Sequence, residues 1–66
     1  MQVHFHGRDH NLSIQVEVGT SVRTALATAG ILASTVIVSH EDVVLPHATL
    51  LTSDVKLLVT TVSSGG

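Results

Sequence analysis

The chain has 66 residues, which makes one domain and no more; a domain this small buries only about 60% of the surface its unfolded form exposes. It contains no cysteine, so disulfides, thiolate metal sites and thiol chemistry are excluded. Three Lys/Arg against five Asp/Glu give a formal charge of −2, and Phe5 is the sole Phe, Tyr or Trp, so there is neither a basic stripe for phosphates nor a stacking platform for bases, and nucleic acid is excluded as a partner.

From the N-terminus, Val3 and Phe5 alternate with Gln2, His4 and His6, the period-2 pattern of a half-buried strand. Residues 7–11 are turn formers without an apolar side chain. Alternation then resumes with Leu12, Ile14, Val16 and Val18 against Ser13, Gln15 and Glu17. Two such runs around a short polar turn predict a β-hairpin. Gly19 ends the second strand, and the Thr20 hydroxyl is placed to cap a helix. Val22, Ala25, Leu26 and Ala29 fall at i, i+3, i+4 and i+7, a single apolar stripe, and Gly30 follows where a left-handed residue closes a helix. The helix is predicted over 21–29. Three turns are marginal alone, so it must pack on the sheet.

Thr35-Val36-Ile37-Val38-Ser39 is β-branched nearly throughout and predicts a third strand. A turn at His40-Glu41-Asp42 leads to a short fourth strand, Val43-Val44-Leu45, stopped by Pro46. Residues 46–52 lack periodicity and are expected to form a loop with a 3₁₀ turn. Val55 through Val62 is the strongest strand signal of the chain. Ser63-Ser64-Gly65-Gly66 has no side chain that could hold it to a core, so 1–62 is expected to be the folded domain and 63–66 a flexible tail. The order ββαβββ predicts an α+β fold: a mixed sheet, one helix across one face, and the first and last strands paired in the middle through a right-handed crossover.

This order, running from a long last strand into Gly65-Gly66, resembles the ubiquitin-like β-grasp superfamily. Within it the chain is most similar to sulfur carriers of the ThiS and MoaD type and their archaeal and thermophile small modifier relatives. The resemblance spans the whole chain. It rests on the Gly65-Gly66 end, the helix start Gly19-Thr20-Ser21-Val22, the helix exit Ala29-Gly30-Ile31 and the hairpin Val38-Ser39-His40-Glu41-Asp42-Val43-Val44. It implies that an E1-like enzyme adenylates the Gly66 carboxylate with ATP. Sulfur from a sulfurtransferase then displaces AMP to give a thiocarboxylate for a sulfur-accepting enzyme, or a lysine of a target protein takes the acyl group. A sequence ending on Gly66 is then the mature form. Ser63-Ser64 departs from the family, whose tails commonly carry a bulkier or charged residue there; an appended linker of this composition is the bland alternative.

The need for glycine follows from geometry, because a tail that threads a narrow channel toward ATP must let the backbone approach closely. Adenylation turns the carboxylate into an electrophile that a thiol, persulfide or amine can attack at neutral pH. The chain is thus read as a protein co-substrate and not an enzyme, with no cofactor of its own and catalysis supplied by the partner. The alternative is a β-grasp binding module with no C-terminal chemistry.

If Leu57 and Val59 face the helix, Lys56, Leu58, Thr60 and Val62 lie on the open face of the last strand. Leu58, Thr60 and Val62 then form a docking patch beside the tail, against the plain alternative of isolated exposed apolar residues. Lys56, the only lysine, is the side-chain amine on which a modifier would build chains. Of the five histidines, His4 and His6 share one side of strand one, and two imidazoles at that spacing can approach a divalent ion. A third ligand would have to come from His10, His40 or His47, all in predicted turns, so the reading is solvent-facing histidines and no structural metal. Glu41-Asp42 and Asp9-His10 are read as solvated turn residues. No apolar run approaches the ~20 residues of a membrane span, and Met1 to His6 lacks the basic and long apolar regions of a signal peptide, so a soluble, cytoplasmic protein is expected.

Overall fold

A computed structural model describes residues 1–62. Five strands and one helix follow the predicted order: β1 (Gln2–His6), β2 (Asn11–Gln15), α1 (Val22–Thr28), β3 (Val36–His40), β4 (Val43–Leu45) and β5 (Val55–Thr61), with a 3₁₀ turn at Ala33–Thr35 ahead of β3. The strands form one mixed sheet in the order β2-β1-β5-β3-β4. β5 is central, parallel to β1 and antiparallel to β3, and each hairpin lies at an outer edge. The fold is α+β.

Alternation settles which side of each strand enters the core. Val3 and Phe5 of β1, Leu57 and Val59 of β5 and Val36 and Val38 of β3 are buried on one face. Val22, Ala25 and Leu26 of α1 cover them, together with Ile31 and Leu51 from the connecting segments. The apolar stripe read at i, i+3, i+4 and i+7 is thus the face that packs, with Ala29 half-buried at its end. Gly30 takes a left-handed φ of 79° after the Ala29 cap, as the stop signal predicts.

Four local readings need correction. The second strand was expected to run to Val18 but ends at Gln15. Gln15 is already paired with Gln2, and one further reciprocal exchange joins Met1 to Val16 (2.8 and 3.0 Å), after which the chain leaves the sheet in a turn over 17–20. Val18 is therefore 68% exposed despite its apolar alternation. The helix cap is Ser21 rather than Thr20: the Ser21 hydroxyl accepts the Thr24 N–H at 3.2 Å, while the Thr20 hydroxyl donates to the Glu17 carbonyl at 2.7 Å. A turn over 17–20, in which Thr20 N–H also bonds Glu17 O (3.1 Å), uses up Thr20 and starts the helix one residue later. The β3–β4 turn is only Glu41-Asp42, because His40 already pairs with Val43. Finally, the 3₁₀ turn is at Ala33–Thr35 and not within 46–52; the Leu32 carbonyl accepts both the Thr35 N–H (3.0 Å) and its hydroxyl (2.7 Å).

The segment 46–51 closes a single turn, Thr49 N–H to Pro46 O at 2.9 Å, and is otherwise pinned to the start of α1. Val22 and Arg23 donate to the Thr49 and His47 carbonyls, both at 2.9 Å, and Leu51 exchanges bonds with Gly19 and Thr20 (2.7 and 2.8 Å). Two of the N–H groups that a helix start leaves unpaired are satisfied in this way. Gly7, just past β1, lies so close to β5 that an added Cβ would fall 2.2 Å from the Val59 carbonyl oxygen.

Candidate functional site

The face of the sheet turned away from α1 is set by the same alternation. Beyond the Gln15–Gln2 pair at one end, ladder register aligns it in three cross-strand rows. Ser13, His4 and Lys56 form the first; Asn11, His6, Leu58, Ser39 and Val44 form the second; Thr60 and Ile37 form the third. Residues opposite one another across a ladder are close enough for their side chains to touch. Leu58 (39% exposed), Ile37 (40%) and Val44 (63%) are the exposed apolar residues of β5, β3 and β4 on this face. Leu58 and Val44 both stand opposite Ser39, and Ile37 stands opposite Thr60, so Ile37 is a diagonal neighbour of both rather than a direct one. Val62, just beyond β5, is 56% exposed and keeps the parity of Leu58 and Thr60. Its N–H donates to the Thr35 carbonyl at 2.9 Å, which carries the last-strand pairing one residue past Thr61.

Leu58, Thr60 and Val62 thus stand on the open side, and Leu57 and Val59 on the covered side, as alternation in the last strand predicts. Ile37, Ser39 and Val44 join them, and sequence reasoning missed these three. The apolar, β-branched character of Ile37 and Val44 was visible, as was the position of Ser39 in a strand run. Which strand they would lie beside was not, because order within a sheet is a long-range property. Gly65 and Gly66 lie outside the described residues.

Two open hollows border this face. One, of about 410 Å³, is bounded by Gln2, His4, Asp54, Val55 and Lys56. The other, of about 440 Å³, is bounded by Arg8, Asp9, Leu58, Val59, Thr60 and Thr61. The middle of the face thus mixes apolar Leu58, Ile37 and Val44 with polar His6, Ser39 and Thr60, and a charged pair, Asp54/Lys56 or Arg8/Asp9, borders each hollow. Such a surface offers area to a partner and polar groups to fix its orientation, the composition of a protein docking patch.

Lys56 is exposed beside His4. The other amine, that of Met1, is half-buried and donates to the Val16 carbonyl at 2.8 Å. His4 and His6 both lie on the open face, their ring centroids 6.2 Å apart and their planes 25° from parallel. A hydrogen bond of 2.7 Å joins His4 Nδ1 to the Ser13 hydroxyl. Among the described residues no three or more His, Cys, Asp or Glu side chains are grouped so as to hold a metal ion, and no polar or charged residue is buried. Glu41 and Asp42 are exposed turn residues. No helix among the described residues is long and apolar enough to cross a membrane.

Neither the known protein families nor the curated proteins give a match to this chain.

Proposed function

We propose that this is a ubiquitin-like β-grasp protein that serves as a sulfur carrier or protein modifier. An E1-like enzyme activates the carboxylate of Gly66, and the open sheet face guides docking. The observation that carries the reading is the position of β5. It is the central strand, parallel to β1, and in sequence it leads directly to Gly65-Gly66 from the row of exposed residues Leu58, Thr60 and Val62.

In the proposed reaction a Gly66 carboxylate oxygen attacks the α-phosphorus of ATP bound to the partner. The products are the acyl adenylate and pyrophosphate. A sulfide-level sulfur nucleophile or a lysine amine then attacks the acyl carbon, AMP leaves and a proton is released to solvent. Where the sulfur arrives as a persulfide, a thiol must then cleave the acyl disulfide to free the thiocarboxylate. This chain contributes the acyl group and the docking surface, and the activating enzyme contributes the catalytic groups. Lys56 is the amine on which a second copy would be joined, because the Met1 amine is engaged by Val16. The protein acts in the cytoplasm in this reading, with a sulfurtransferase and a sulfur-accepting enzyme, or target-protein lysines, as its further partners.

The test is pyrophosphate exchange with the E1-like enzyme of the same cell, followed by mass spectrometry of the chain. Exchange that depends on the chain and is lost on deletion of Gly66 is the expected result. A product heavier by the difference between sulfur and oxygen identifies the carrier, and Gly-Gly remnants on target lysines identify the modifier. Exchange that is absent, or that persists without Gly66, overturns the proposal in favour of a binding module with no C-terminal chemistry. Within the proposal, Leu58→Asp is expected to raise the KM of the activating enzyme for the chain about thirtyfold, the size of a docking hot spot of about 2 kcal/mol, with an unchanged circular dichroism spectrum.

A further inference from the structure

The open face carries a feature that docking and tail chemistry do not use. His4 and His6 are two residues apart on β1, on the same side, with stacked rings at a centroid separation of 6.2 Å. Zinc-type ions are held by imidazole nitrogens at about 2.0–2.1 Å, so two rings bound to one ion have their centroids somewhat closer than this in a tetrahedral arrangement. Stacked planes do not by themselves aim a nitrogen of each ring at one ion, so binding requires the two half-exposed rings to turn about their side-chain bonds. The backbone supporting them is fixed, because β1 is laddered on both sides, to β2 and to β5.

The second observation is the bond between His4 Nδ1 and the Ser13 hydroxyl at 2.7 Å. In the tautomer whose Nδ1–H donates to the Ser13 hydroxyl, the lone pair of His4 resides on Nε2, the ring nitrogen farther from the backbone. Fixing a ligating histidine through its other ring nitrogen is the usual outer-shell support of a metal site. The charges nearby partly offset one another: Lys56 lies beside His4 across the ladder, and the Asp54 carboxylate borders the same hollow. Lys56 is exposed on a flexible stem and can turn its ammonium into solvent.

We infer that His4 and His6 form a two-imidazole clip for a borderline divalent cation of the Cu²⁺, Ni²⁺ or Zn²⁺ type, with the remaining coordination positions open to water or to a ligand group. Imidazole donors select these ions over Mg²⁺ and Ca²⁺, and affinity should rise from Zn²⁺ and Ni²⁺ to Cu²⁺. With only two protein ligands the clip is an open site and not a fold-stabilising one.

Titration of the full chain with Ni²⁺, followed by calorimetry and by two-dimensional NMR, tests the inference. Paramagnetic broadening is expected first at His4, His6, Ser13 and Lys56, before His10, His40 and His47. Substitution of either clip residue, His4→Gln or His6→Gln, is expected to weaken binding at least about tenfold, while His40→Gln leaves it unchanged. Ser13→Ala should weaken it less than loss of either ring. Because both clip residues face solvent, the substituted chains are expected to keep their amide spectrum. Broadening that begins at the other histidines, equal affinity in the His4→Gln/His6→Gln double variant, or no heat and no broadening in the wild type would each overturn it.

Discussion

Gly7 shows how a single atom constrains this fold. The hairpin loop brings its Cα against β5, and an alanine Cβ at that position would meet the Val59 carbonyl oxygen at 2.2 Å, a backbone atom in the central strand that cannot swing aside. Gly7→Ala is therefore expected to cost about 1–3 kcal/mol, as overpacking does, read as a lower urea midpoint at unchanged slope. Leu26 sits at the other extreme, fully buried on the inner side of α1 as part of the core. Leu26→Ala removes contacts that no neighbour can replace, and a loss of about 2–5 kcal/mol is expected in the same measurement. In a domain that buries so little, that is enough to bring a substantial fraction of molecules to the unfolded state at room temperature. Neither position announces its role equally in sequence: Leu26 belongs to a readable stripe, whereas Gly7 reads only as a turn residue, since the approach of a strand fifty residues away leaves no local mark.

At the level of elements, the ends of α1 and the β3–β4 turn carry the informative departures. Ser21 and Thr20 are both hydroxyl residues ahead of an apolar stripe, and composition alone does not rank them. The turn over 17–20 does, leaving Ser21 as the cap. Ser21→Ala is expected to lower stability by about 0.5–2 kcal/mol, the range for losing an N-cap, and thermal unfolding monitored by circular dichroism checks it. The two-residue turn Glu41-Asp42 holds both residues at positive φ (51° and 67°), the type I′ geometry that suits a right-twisted hairpin but strains side chains with a Cβ. Asp42→Gly relieves that strain, and a gain of about 1 kcal/mol, seen as a higher melting temperature, is expected. A fall in melting temperature would mean that Asp42 is held by something other than the turn. The loop over 46–51 was legible only as a loop. Its bonds to the start of α1 are made by backbone groups, which every residue possesses, so no side-chain pattern could have disclosed them.

For the whole molecule, sheet order decides what the surface can present. Placing β5 between β1 and β3 puts Leu58 in one row with His6, Ser39 and Val44, and Thr60 opposite Ile37. The proposed docking face is assembled in this way from β3, β4 and β5. If the face acts as one surface, Ile37→Asp and Val44→Asp should weaken partner docking together with Leu58→Asp, and each variant should keep the folded circular dichroism spectrum, with Val44→Asp, the most exposed of the three, the least costly to stability. A variant that lost docking only in step with its own unfolding would place the effect in the fold and not in the face. The clip of His4 and His6 is the simpler case at this scale, because its two ligands come from one strand and only their support by Ser13 requires the pairing of β1 with β2.

Local periodicity determined most of the elements, since a strand half-buried on one side must alternate and a helix packed on one side must repeat near every third or fourth residue. The ββαβββ order, the helix stripe and the inward side of β5 follow from that rule, and so does the open-face placement of Leu58, Thr60, Val62 and Lys56. Tertiary structure alone decided where β2 stops, which hydroxyl caps α1, how the 46–51 segment is held and which residues of β3 and β4 stand beside Leu58. Those outcomes depend on backbone hydrogen bonds and on contacts between residues far apart in sequence. Such interactions are set when the sheet closes around β5, and no local pattern of side chains encodes them.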